Sequence, residues 1–170
     1  EVSDIASQAS IEGNFYVYTT TGGKTVALDA SAGEKIWEFQ SGNKIFSAPF
    51  ITDKMVYVSS TDGNIYALDR LSGSKVWEYD AGYPVVASPL VVGDTLYVGS
   101  SNEKFHAVDA SLGRVIWVSE GYPGYMESRP CADERHIYTG GWEGRFWAIE
   151  KLSGRKVWEH NIGKGRYFSP

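Results

Sequence analysis

The segment "YMESRP", Tyr125 to Pro130, sets Glu127 and Arg129 two residues apart. On a strand, that spacing puts both side chains on one side. Arginine offers a planar fork for carboxylate or phosphate oxygens, and tyrosine adds a hydroxyl and a flat face. Tyr125 precedes the pair, and "GRYFSP" brings Arg166 and Tyr167 to the matching place one unit later. Tyr125, Glu127, Arg129, Arg166 and Tyr167 form the candidate site, suited to a small anionic or carbohydrate-like ligand. The competing reading makes Glu127 and Arg129 a solvated or mutually paired structural set. Charges at an inner position are costly unless paired, hydrated or used. Tyr122 and Met126 are expected beside the pair. Trp142, in "GGWEG", is expected at the surface, and Trp147 in packing.

Other chemistries find no support. There is no G-x-S-x-G elbow, P-loop or H-E-x-x-H run. His106, His136 and His160 lack metal-ligand spacing. The basic, glycine-rich "IGKGR" is not followed by a helix pattern, so it makes a weak phosphate cradle. Asp62-Gly63 reads as a hairpin turn. Cys131 is the single cysteine, which excludes an internal disulfide, and it is expected to be a small buried hydrophobe. The net charge of −5 argues against a nucleic-acid partner, because no basic stripe is present. No apolar run is long enough for a membrane span. No signal-sequence pattern occurs at "EVSDIASQAS".

The elements that must position these residues show in four columns in step. Trp37, Trp77, Trp117 and Trp158 recur about every 40 residues, as do Gly33, Gly73, Gly113 and Gly154. Asp29, Asp69, Asp109 and Glu150 keep the same interval, and so do Pro49, Pro89, Pro130 and Pro170. The units run over 4–43, 44–83, 84–124 and 125–165, with 166–170 starting a fifth. Each holds four strand-sized segments; in the second they are "KIFSAPFI", "MVYVSS", "NIYALD" and "KVWEYD". Four antiparallel strands repeated at this period predict an all-β chain of propeller blades. A blade has two apolar faces and buries them only against its neighbours. The first segment of each unit is expected to line the central channel.

The third and fourth segments share the pattern A-x-D-x-x-x-G-x-x-x-W. It appears as Ala27, Asp29, Gly33, Trp37; as Ala67, Asp69, Gly73, Trp77; and as Ala107, Asp109, Gly113, Trp117. The fourth copy is Ala148, Glu150, Gly154, Trp158. This resembles the tryptophan-docking motif of the PQQ-type propeller repeat, found in quinoprotein dehydrogenases and in relatives that bind no cofactor. The resemblance covers nearly the whole chain and implies that each Trp lies against the adjacent blade. On physical grounds the Asp caps its turn and the Gly supplies a left-handed position. Glu150, with its longer arm, should cap less well, at a cost of up to ~1 kcal/mol. A metal role for the Asp column is disfavoured, since ligands of one site must converge.

Propellers of this type usually have seven or eight blades, so the four repeats are expected to be part of a larger ring. The alternatives are two copies that complete an eight-bladed ring, and a closed four-bladed ring. Quinoprotein enzymes hold PQQ and calcium in the funnel, often under a vicinal disulfide that one cysteine cannot make. The resemblance therefore implies a non-catalytic, extracytoplasmic binding or scaffold module without a cofactor, partnered by a protein or a small ligand. The alternative is a fragment of a PQQ-dependent dehydrogenase. No catalytic or metal residue is assigned.

Overall fold

Sixteen short strands form four antiparallel sheets in the computed structural model, which describes residues 4, 5 and 7–163. The first sheet holds β1 (Ser10–Glu12), β2 (Phe15–Thr19), β3 (Lys24–Asp29) and β4 (Lys35–Gln40). The second holds β5 (Phe50–Ile51), β6 (Met55–Ser59), β7 (Asn64–Asp69) and β8 (Lys75–Asp80). The third holds β9 (Leu90–Val92), β10 (Thr95–Gly99), β11 (Lys104–Asp109) and β12 (Val115–Glu120). The fourth holds β13 (Cys131–Ala132), β14 (His136–Gly141), β15 (Arg145–Glu150) and β16 (Lys156–Asn161). Strand order follows chain order in every sheet, so each is a meander of hairpins. The chain is all-β and built of propeller blades.

Local chemistry sets the turns. Asp69 Oδ1 accepts the N–H groups of Leu71 and Ser72 and the Ser72 hydroxyl. Gly73, with φ +71°, then closes the loop by donating its N–H to Asp69 O. Asp29 and Asp109 build the same turn. The hydroxyl of Ser31, the N–H of Ala32 and the amide of Asn14 hold the Asp29 carboxyl down at about 2. Glu150 accepts the Ser153 hydroxyl and approaches Arg155, but its side chain reaches no backbone N–H. Each third strand shifts register just after its alanine, at Ala27, Ala67, Ala107 and Ala148. Those alanines stand opposite Trp37, Trp77, Trp117 and Trp158, where a larger side chain would crowd the indole.

The first segment of each unit differs from its expected strand. Of "KIFSAPFI" only Phe50–Ile51 joins the ladder. Residues 44–49 keep the alternation of an extended chain, with Ile45, Ser47 and Pro49 buried and Phe46 exposed. Pro49 has no N–H to give, and the segment lies at the sheet edge. Its ends are tied elsewhere: Thr61 N–H bonds Lys44 O, and Ser101 N–H bonds Pro84 O one unit later.

The core lies between sheets. Val17, Ala27 and Trp37 pack on Ile45, Val56, Val58, Tyr66 and Leu68 of the next unit. His106 is buried between the second and third sheets, with Tyr79 Oη 3.0 Å from Nδ1 and Ser100 Oγ 2.8 Å from Nε2. Burial, aided by Lys104, lowers its pKa to about 4, so the imidazole is neutral near pH 7.

Candidate functional site

The recurring motif forms a clamp. Trp37 Nε1 donates to Arg70 O at 2.8 Å, Trp77 Nε1 to Ala110 O at 3.0 Å and Trp117 Nε1 to Lys151 O at 2.9 Å. In each pair the acceptor belongs to the following unit. The same rings cover Gly73, Gly113 and Gly154: a Cβ there would lie 2.6, 2.7 and 2.5 Å from indole carbons. Glycine is thus required twice, by its positive φ and by the ring above it. The motif's acids are engaged at their own turns.

The segment that breaks the repeat divides its residues between two places. Tyr122 and Met126 lie in the core with Phe105, Trp147 and Ile149, not beside the charged pair. Met126 stands in the column of Ile45 and Val85, and Gly99 makes room for it: a Cβ there would sit 2.6 Å from Met126 Cβ. Tyr125 is exposed and meets Trp142 edge-on, with ring centroids 5.9 Å apart. Trp142 is itself exposed, and its N–H bonds Tyr125 O at 2.9 Å. Trp147 is fully buried.

Arg129 leaves its own unit. Its Nη2 donates to Pro49 O at 2.8 Å and Ala48 O at 3.2 Å, and its guanidinium lies 5.6 Å from the Phe50 ring centre. Pro49 O also accepts the Ser10 hydroxyl, so the first, second and fourth units meet at one carbonyl. Glu127 is half-buried and makes no ion pair or side-chain hydrogen bond among the described residues. The two charges are therefore not paired with each other there; Arg129 is held by backbone carbonyls. Nor does any hydrogen bond join Tyr125 to either. Arg166 and Tyr167 lie outside the described residues. The repeat alignment could flag Arg129 as unusual but held no signal for a partner about 80 residues away.

Arg129→Ala should cost about 1–3 kcal/mol, because it removes charge-assisted bonds to two carbonyls. Glu127→Ala, which removes no ion pair or side-chain hydrogen bond among the described residues, should stay within about 0.5 kcal/mol. Urea unfolding of both variants checks the pair; equal losses would contradict this division.

Cys131 is exposed, contrary to its expected burial. It lies in the two-residue β13, an edge strand that pairs only with β14 among the described residues. Among the described residues no three His, Cys, Asp or Glu side chains converge to hold a metal ion, and the thiol has no neighbour to make a vicinal disulfide. No helix among them is long and apolar enough to cross a membrane.

BamB from Moraxella catarrhalis is similar in structure, with a TM-score of 0.82 and 25% identity over 94% of this chain and 50% of that one. A quinohemoprotein alcohol dehydrogenase from Comamonas testosteroni superposes with a TM-score of 0.81 at 14% identity, covering 95% of this chain and 35% of the enzyme, and shares the fold. The computationally designed protein Ika4 matches at 0.80 and 13% identity, over 88% of this chain and 92% of its own. This chain spans half the length of that BamB and about a third of the dehydrogenase. No curated protein sequence matches it significantly. The family model described as outer membrane protein assembly factor BamB matches residues 2–162, and the chain belongs to that family of PQQ-type repeat propellers.

Proposed function

We propose that this chain serves as a non-catalytic binding or scaffold propeller in an extracytoplasmic compartment. Its family membership over residues 2–162 carries the reading, since the model's description is an assembly factor. The committed state of the repeated motif supports it: indoles, glycines and acids are engaged in blade contacts and turns. A protein partner, or a small anionic or carbohydrate-like ligand, would meet the channel side of the fourth unit. There Tyr125 and Trp142 offer exposed rings, and Glu127 and Arg129 offer polar groups; Arg166 and Tyr167 are the further members. No cofactor enters the reading, and nucleic acid is not a partner.

Two additions to the purified chain test it. PQQ with calcium should produce no bound-quinone absorbance and no dye-linked alcohol oxidation; both together would overturn the non-catalytic reading in favour of a dehydrogenase fragment. Glucuronate should raise the melting temperature of the wild type and not that of Arg129→Ala, each measured against its own ligand-free baseline. No rise in the wild type would overturn the anionic-sugar site.

A further inference from the structure

We propose that two copies of this chain pair edge to edge through β12, the outer strand of the third sheet. The pairing is antiparallel and two-fold, with Trp117 of each copy at its centre. It rests on the make-up of that one strand and does not depend on the ligand reading above.

The outer strands differ in a way that matters at a sheet edge. β4, β8 and β16 each carry a lysine two residues after the motif glycine and a glutamate just after the tryptophan. The two side chains meet along the exposed strand. Lys35 Nζ lies 2.8 Å from Glu38, Lys75 Nζ 2.6 Å from Glu78 and Lys156 Nζ 3.5 Å from Glu159. Charges of this kind discourage a further strand from adding to the edge. In β12 the same two positions hold Val115 and Val118. Val115 is 53% exposed, Ile116 51% and Val118 41%. The third sheet thus presents apolar groups where the other three present an ion pair.

The open part of the third sheet is this edge and not a face. Trp77 of the second unit lies over Gly113, and Trp117 lies over Gly154 of the fourth, so the sheet has both of its neighbours within this chain. β12 pairs only with β11 among the described residues. The N–H and C=O groups along its other side are therefore available to an added strand.

The occupant follows from the strand's self-complementarity. Two copies of "RVIWVSE", Arg114 to Glu120, set antiparallel about Trp117 bring Ile116 opposite the partner's Val118 and Arg114 opposite the partner's Glu120, each twice. Both charged groups can be reached. Arg114 is exposed and makes no ion pair among the described residues. Lys104 holds Glu120 Oε1 at 2.7 Å, yet the Glu120 side chain stays 69% exposed. No other outer strand matches itself in this register. The same operation sets Ile36 opposite Glu38, Val76 opposite Glu78 and Val157 opposite Glu159, an apolar group against a carboxylate each time. At their ends Glu34 meets Gln40, Ser74 meets Asp80 and Arg155 meets Asn161, so no opposite charges face each other. A two-fold contact uses the same edge on both copies and closes at two.

Sedimentation equilibrium of the 170-residue chain tests this. The expected species has twice the 18.8 kDa chain mass. The double substitution Val115→Lys with Val118→Glu gives β12 the ion pair of the other outer strands and should weaken the dimer about tenfold or more. Both sites are exposed, so the fold should stand, and circular dichroism checks it. Arg114→Glu should also weaken pairing about tenfold, because it sets like charges opposite each other twice. Adding Glu120→Arg to that variant exchanges the two signs and should restore the affinity to within about threefold of the wild type. A wild type that is monomeric at all concentrations overturns the proposal. So does association that the Val115→Lys, Val118→Glu pair leaves unchanged, since another surface would then carry it. Failure of Glu120→Arg to rescue Arg114→Glu overturns the register about Trp117, and open-ended polymers overturn the two-fold contact.

Discussion

Trp77→Ala should lower the unfolding free energy by about 3–5 kcal/mol, the range for truncating a large buried aromatic. Three losses combine. The indole is 8% exposed and packs in the cluster that joins the second and third sheets, with Val85, Leu96 and Val108. Its N–H bond to Ala110 O disappears, leaving that buried carbonyl with Tyr57 Oη as its remaining side-chain donor. The cavity also opens over Gly113, which cannot fill it. Trp158→Ala is the internal control. It has the same motif position but a half-exposed ring and no described acceptor, so its cost should stay below about 1 kcal/mol. Urea unfolding followed by circular dichroism reads both. Equal losses would show that the motif position, rather than the neighbouring blade, confers the stability.

Gly73→Ala should cost about 2–5 kcal/mol. About 1–2 of this is the strain of an alanine at φ +71°. A further 1–3, roughly, is overpacking, since the new Cβ would lie 2.6 Å from Trp37 Cδ2 in a ring held on its other side by the core. Gly33→Ala isolates the first contribution. Its φ of +69° gives the same strain, but no atom of the described residues lies within 4 Å of the new Cβ, so about 1–2 kcal/mol is expected. The difference between the two melts measures the blade contact itself. If both glycines cost the same, the ring contributes nothing to the requirement for glycine.

Much of the fold was legible because its determinants are local and repeated. The Asp-to-Gly turns need only residues within four positions, and the strands of the second unit ended near the bounds their composition suggested. The inner segment was less legible. Its alternation was visible, but ladder membership depends on which N–H groups find partners, and Pro49 removes one at the critical place. The candidate site was read only coarsely. Departure from the repeat marked Tyr122, Met126, Glu127 and Arg129 together, since a column comparison registers difference without its cause. The tertiary structure separates the causes: Tyr122 and Met126 fill the space between two sheets, with Gly99 making room, while Arg129 crosses to the second unit.

The sequence alone determined the all-β class, the four repeats, the turn chemistry and the kinship with PQQ-type repeats, because each depends on short-range pattern and spacing. Only the tertiary structure decided what each residue faces. It placed Trp37, Trp77 and Trp117 over the next unit's glycine, while among the described residues Trp158 is half-exposed and no ring covers Gly33. It also exposed Cys131 on an edge strand and gave Arg129 its carbonyl partners. These outcomes depend on contacts between residues 30 to 80 positions apart, and one chain's periodicity carries no term for such contacts.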